Sequence, residues 1–125
     1  MTKAAAVYQF FASFGIPAYD VTRVPDDAAY PYLTYEYGET GFEEGEFPSA
    51  VNIYYLGSSN VAINAKVDEL AAAIGRGGRV LKCDGGRLWI KRGSPWVQTM
   101  ADSELQHTNR QINRRYINVT IEYLV

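Results

Sequence analysis

Apolar and polar positions alternate most regularly near the C-terminal end of the chain. Over Gln111–Val125, Ile117, Val119, Ile121, Tyr123 and Val125 fall on one parity, and Tyr116, Asn118, Thr120, Glu122 and Leu124 on the other. Side chains alternate across a strand, so the first set forms one continuous apolar face. The stretch contains neither Gly nor Pro and predicts a central or near-central strand against which earlier strands pair. A different period governs Ile63, Val67, Leu70 and Ile74, which recur at steps of four, three and four. That spacing predicts a helix with one narrow apolar stripe, capped by Ser58, Ser59 and Asn60 and stopped by the glycines of residues 75–78. Alanines at 62, 65, 71, 72 and 73 keep it slim, while Lys66, Asp68 and Glu69 face outward. Residues 2–14 read as a first helix, with Ala4, Val7, Phe11 and Phe14 as its stripe and Tyr8 and Phe10 on the flanks. Thr2 caps this helix, and Gly15 and Pro17 stop it.

Between the helices the pattern changes to short strands. Residues 15–31 read as a polar connection. Tyr32–Tyr37 predicts a strand with Leu33, Tyr35 and Tyr37 on one face, and Ala50–Leu56 another with Val51, Ile53 and Tyr55 together. Residues 38–49 are too charged to bury and read as an exposed loop or hairpin tip, with Phe42 and Phe47 available to pin it or to touch a neighbour. Arg79–Cys83 and Arg87–Lys91 flank Asp84-Gly85-Gly86, a hairpin signal. Residues 93–96 read as a turn, Val97–Met100 as a continuation of strand, and 101–110 as a polar stretch. The order predicts a single α+β domain over 1–125, an antiparallel or mixed β-sheet with two α-helices packed on one face.

Composition adds two facts to this outline. Ten tyrosines in 125 residues is a high content. Tyrosine covers apolar area while keeping its hydroxyl near water, which suits contact surfaces and half-buried sheet positions alike. Charge is unevenly spread: residues 1–56 carry eight acids and two bases, residues 57–125 six acids and ten bases. Unlike patches on one small domain suit head-to-tail association. The one cysteine, Cys83, excludes an intrachain disulfide and fits a reducing compartment. No apolar run approaches the roughly 20 residues that span a bilayer, and the expectation is of no membrane partner. Residues 1–20 carry only Lys3 as a base, with Gln9 and Ser13 interrupting the apolar part, and read as a helix of the mature protein rather than a leader.

Candidate chemistry is sparse. Cys83 and His107 cannot fill a four-ligand zinc site alone, and no oxyanion arrangement accompanies them. The glycines of residues 75–78 follow a helix, whereas a phosphate loop leads into one, so C-capping explains them. Glu39, Glu43, Glu44 and Glu46 lack the spacing of a calcium loop. An acidic loop of this kind, ringed around a channel, would repel a DNA backbone and let it slide. Arg76, Arg79, Arg87, Lys91, Arg92, Arg110, Arg114 and Arg115, with Trp89 and Trp96 nearby, contain the ingredients of a single-strand-binding surface. Neighbours such as Arg114 and Arg115 point to opposite faces of a strand, which divides that patch. No nucleophile–base pair, acid pair or cofactor loop stands out, so neither an enzyme nor a bound cofactor is expected.

Four segments carry a resemblance: FGIPAYD at 14–20, PYLTYE at 31–36, the helix ending in AIGRGG at 73–78, and DGGRLWIKRGSPWVQ at 84–98 before the terminal strand. In these the chain resembles the tail-terminator (tail completion, head–tail joining, minor capsid) proteins of long-tailed phages and prophages of Gram-positive bacteria. The resemblance implies a sheet flanked by helices and a non-enzymatic ring, usually a hexamer, on the head-proximal end of the tail tube. Such a ring stops tube growth, contacts the tail tube protein and the head-completion (connector) protein, and lets double-stranded DNA pass. It implies a place in the virion after assembly in the bacterial host cytoplasm. Arg76, Trp89, Lys91, Arg92 and Trp96 are the expected interface residues, since Trp and Arg are favoured at buried contact centres, and core packing of both tryptophans is the competing expectation. Glu39, Glu43, Glu44 and Glu46 are the expected channel-facing acids. A small nucleic-acid-binding or regulatory module is the alternative function.

Overall fold

The computed structural model describes residues 1–41, 44–57, 59–100 and 112–124. Among these residues six strands form one sheet: β1 (Ala18–Asp20), β2 (Tyr32–Tyr35), β3 (Glu46–Leu56), β4 (Arg79–Cys83), β5 (Gly86–Met100) and β6 (Ile112–Leu124). Their spatial order is β1-β2-β3-β6-β5-β4. β1 and β2 run parallel and every other neighbouring pair antiparallel, so the sheet is mixed. Two helices, α1 (Lys3–Phe11) and α2 (Val61–Ile74), pack against it, as the α+β expectation required.

β6 is central because its alternation leaves one face entirely for burial. Ile117, Val119, Ile121 and Tyr123 are buried, and Glu122 pairs with Glu46 of β3 on one side and Trp89 of β5 on the other. Gln111 and Val125 lie outside the described residues. The stripe Ile63, Val67, Leu70 and Ile74 is buried in full, and α2 lies on β3, β5 and β6. Burial of each such side chain contributes about 1.5–3 kcal/mol. α1 differs from its predicted face: Ala6, Val7, Phe10 and Phe11 are buried, Ala4 is exposed, and Phe14 follows in a 3-10 turn over Ala12–Phe14. Thr2 does cap it, its Oγ1 accepting from the Ala5 N–H at 3.0 Å.

α1 touches both β1 and β4, the two edge strands of the sheet. One helix can meet both edges only if the sheet curls around it, and that curl closes the core. Phe11 stacks on Tyr35 of β2 at 4.9 Å on one side, while the Arg79 guanidinium of β4 lies 5.6 Å from the Phe10 ring on the other. Lys66 of α2, expected to face outward, is half-buried and donates to the Phe14 carbonyl oxygen and to Glu69.

Three segments depart from the sequence reading. The connection 15–31 contains β1 and a 3-10 turn (Val21–Arg23), because three residues are too few to show an alternation. β3 begins at Glu46, not Ala50, and runs through Pro48. Proline is tolerated there because β3 has its ladder partner, β6, on one side only at that level. Residues 93–96 are not a turn but a bulge inside β5: pairing with β6 shifts between Arg92↔Val119 and Val97↔Ile117. Gly93 is required at this bulge, since a Cβ there would lie 2.8 Å from the Asn118 Cβ and 2.9 Å from its carbonyl oxygen. The Asn118 amide donates to the Pro95 oxygen at 2.6 Å and closes the bulge. Among the described residues no helix is long and apolar enough to cross a membrane.

Candidate functional site

The expected interface residues do not form one patch. Trp89 lies on the sheet face turned away from the helices, and its Nε1 donates to the Gly77 carbonyl oxygen at 2.8 Å. The Lys91 ammonium sits 4.1 Å from the Trp89 ring centre and pairs with the Glu46 carboxylate across β6. Trp89, Lys91 and Glu46 are thus one cluster, joined to the turn that carries the exposed Arg76. Arg92 is exposed on the next stretch of β5. Trp96 belongs to the bulge and is half-buried against the core.

The acidic loop is also less free than its charge implied. Glu39 accepts from the Tyr37 hydroxyl at 2.6 Å and from Lys3 at 3.0 Å, and these bonds hold its carboxyl below the usual range. The bond from Lys91 lowers Glu46 in the same way. Glu44 is exposed, and its N–H donates to the Gly41 oxygen at 2.9 Å. Glu43 and Phe42 lie outside the described residues. Phe47 packs against the core and over Gly38, so it does pin the loop. Ser49 Oγ donates to the Glu36 oxygen at 2.7 Å and Tyr123 OH to the Gly38 oxygen at 2.5 Å, which ties residues 36–38 to β3 and β6.

A surface that residue types alone did not reveal lies on the outward face of the sheet. The register sets Tyr32 beside Tyr54 and Tyr54 beside Arg114, with Asn52 beside Tyr116 in the next row. Tyr32 and Tyr54 stack at 4.9 Å, Tyr30 leans on Tyr32 at 5.3 Å, and Tyr19 meets Tyr32 edge-on at 5.8 Å. The Arg114 guanidinium lies 6.0 Å from the Tyr54 ring centre and its Nε donates to Asn52 Oδ1 at 2.8 Å. Beneath the rings, the Thr34 hydroxyl is buried with no hydrogen-bond partner among the described residues. The face presents amphipathic rings and a cation, the composition of contact surfaces. No protein-family model matches the chain, and no curated protein or solved structure is similar to it.

Arg115, on the opposite parity from Arg114, is buried against α2. Asn60 and Asn64, one helical turn apart, accept from its guanidinium at 3.2 and 3.3 Å, and the Arg114 oxygen accepts at 3.3 Å. Asn60 therefore caps α2 without a side-chain bond to the helix, and the first N–H of α2 donates to Ser59 Oγ instead. Ser58 lies outside the described residues. Among the described residues no group of three or more His, Cys, Asp or Glu could hold a metal ion. Cys83 is half-buried against the core, and His107 and Arg110 lie outside the described residues.

Burial, then the neighbouring Tyr30, pushes the Tyr32 phenol up to about 12. Burial, then the Glu39 charge, pushes Tyr123 to about 12, and burial first of all raises Tyr35 and Tyr37 as well. An unperturbed tyrosine ionises near 10. The fold therefore favours the neutral phenols, and the contribution of Tyr32 and Tyr123 is intact below a pH of about 10 and lost as pH rises through about 12. In an alkaline titration, tyrosinate absorbance is expected in two stages, the later one coinciding with loss of the far-ultraviolet dichroism. Ionisation of all tyrosines near pH 10 with the dichroism intact would contradict it.

Proposed function

We propose that this chain is a structural assembly protein of the tail-terminator kind, working as a ring of six copies on the head-proximal end of a phage tail tube. In this reading the ring ends tube elongation, joins the tail tube protein to the head-completion protein, and passes double-stranded DNA through its centre. The curled α+β sheet is then a tail-terminator-like fold, and the working place is the virion, reached by assembly in the host cytoplasm. The chain performs no catalysis and holds no cofactor.

The observation that carries the proposal is the outward sheet face of Tyr19, Tyr30, Tyr32, Tyr54 and Arg114, held together by ring contacts of 4.9–6.0 Å. Rigid tyrosines give contact area at low cost in side-chain entropy, which suits a protein partner. The two tryptophans offered for stacking on a nucleic-acid strand are engaged within the chain instead, Trp89 by Gly77 and Lys91 and Trp96 by the core. In the ring, Glu44 is, among the described residues, the acid of the loop left to face DNA, since Glu39 and Glu46 are held by Lys3 and Lys91. Native mass spectrometry of concentrated protein tests the reading. A six-copy species is expected. A monomer with salt-sensitive affinity for DNA or RNA would instead support a nucleic-acid-binding module.

A further inference from the structure

We infer that copies of the chain join head to tail by seating an acidic turn of one copy in a basic cleft of the next. This rests on the ring reading and names its contact surfaces. The cleft lies between α1 and the edge strand β4, with Ala6, Phe10 and Leu81 as its floor, Gln9, Arg79 and Lys82 at its rim, and a volume of about 260 Å³. Among the described residues no carboxylate lines it, and the Met1 ammonium at its edge is paired with Asp84. Arg79 is steadied by the Phe10 ring at 5.6 Å, and among the described residues neither Arg79 nor Lys82 makes an ion pair. Both are exposed.

The complementary element is at the other edge of the sheet, in the connection leading to β2. The Ala28 N–H donates to the Pro25 oxygen at 3.1 Å and closes a tight turn with Asp26 and Asp27 at its two corners. The corner side chains of such a turn project outward, and both aspartates are exposed and without an ion pair among the described residues. Tyr30, two residues on, leans on Tyr32 and fixes the turn to the sheet. Among the described residues one edge thus offers two carboxylates without an ion pair on a short projection, and the other two cations without an ion pair around a recess. Different, non-overlapping patches of opposite sign make a heterologous contact, which closes into a ring or propagates. The cations rim an apolar floor, so seating the turn removes water from the charges and strengthens their attraction. Association through exposed charges also weakens as salt rises.

Charge reversal at each side separates this proposal from the ring reading. R79E/K82E and D26K/D27K are each expected to stay monomeric by sedimentation velocity at concentrations about a hundredfold above those at which the wild type assembles, because like charges then meet. Mixed in equal amounts the two variants are expected to reassemble, since the acidic turn of the first meets the basic cleft of the second and the basic turn of the second meets the acidic cleft of the first. The combined quadruple variant is expected to assemble alone. Unchanged thermal melts show that the variants are folded. The neutral pairs R79Q/K82Q and D26N/D27N repeat the test at lower amplitude should a reversal unfold the chain. Assembly of either reversed variant like the wild type, or no recovery on mixing of folded variants, would overturn the proposed contact while leaving the ring. A wild type that stays monomeric at every concentration would overturn both.

Discussion

Phe11→Ala is expected to lower the unfolding free energy by about 3–5 kcal/mol, the range for removing a fully buried phenylalanine. Phe11 has no exposed surface and lies flat on Tyr35, with interplanar angle 17°. It also belongs to α1, which contacts both edges of the sheet, so the cavity opens where the curl is held shut. The surrounding strands are tied by their own ladders and cannot collapse into the space. Tyr8, three positions earlier on the same helix, is 50 % exposed, and Tyr8→Ala is expected to change stability by no more than about 0.5 kcal/mol. Urea unfolding followed by far-ultraviolet dichroism measures both. Equal effects of the two substitutions would show that α1 is not the element that closes the core.

The adjacent glycines at 77 and 78 give a second large and opposed pair of effects. Gly78 has φ of +83°, and a Cβ there would lie 2.4 Å from Trp89 Nε1 and 2.6 Å from the Ile90 carbonyl oxygen. A left-handed residue with a side chain costs roughly 1–2 kcal/mol. The backbone oxygen cannot move without disturbing the β4–β5 ladder, where Ile90 pairs with Arg79. Gly78→Ala is therefore expected to destabilise by about 2–4 kcal/mol in all and to shift the fluorescence of Trp89, whose bond to the Gly77 oxygen is lost. Gly77 has nothing within 4 Å of the corresponding position, and Gly77→Ala is expected to leave stability within about 0.5 kcal/mol and fluorescence unchanged. Guanidinium unfolding monitored by fluorescence separates the two. A neutral Gly78→Ala would contradict the close packing of this turn on Trp89.

The elements most legible in the sequence are those whose period is long enough to repeat. Ile63 to Ile74 completes three steps of one stripe, and Ile117 to Tyr123 four positions of one face, and both sets are buried in full. β1 was not legible because Ala18–Asp20 is stabilised by parallel pairing to β2 rather than by any pattern of its own. Residues 93–96 carry Gly, Ser and Pro, the composition of a turn, yet β6 continues past them and Asn118 bridges the irregularity, so the strand survives. Arg115 shares the parity of the buried Ile117–Tyr123 face, while its charge favours water. Parity prevailed because Asn60 and Asn64 supply neutral acceptors at the point where the guanidinium enters.

The candidate site was less legible than the fold for a related reason. Trp89, Lys91 and Glu46 come together only because β3 and β5 flank β6, an order that no local pattern states. The tyrosine face likewise requires Tyr19, Tyr32 and Tyr54 from three strands to fall in adjacent rows of one sheet face. The excess of tyrosine was the available signal, and it named the residue type without the place. Residue type named Trp96 as well, without its place in the bulge, where it is half-buried against the core.

Negative-stain electron microscopy of the concentrated protein, with particles classified by rotational symmetry, decides whether the chain forms the ring. Closed six-fold rings with an open centre are expected. Rings of another symmetry, a closed centre, or an absence of rings at every concentration would contradict that expectation.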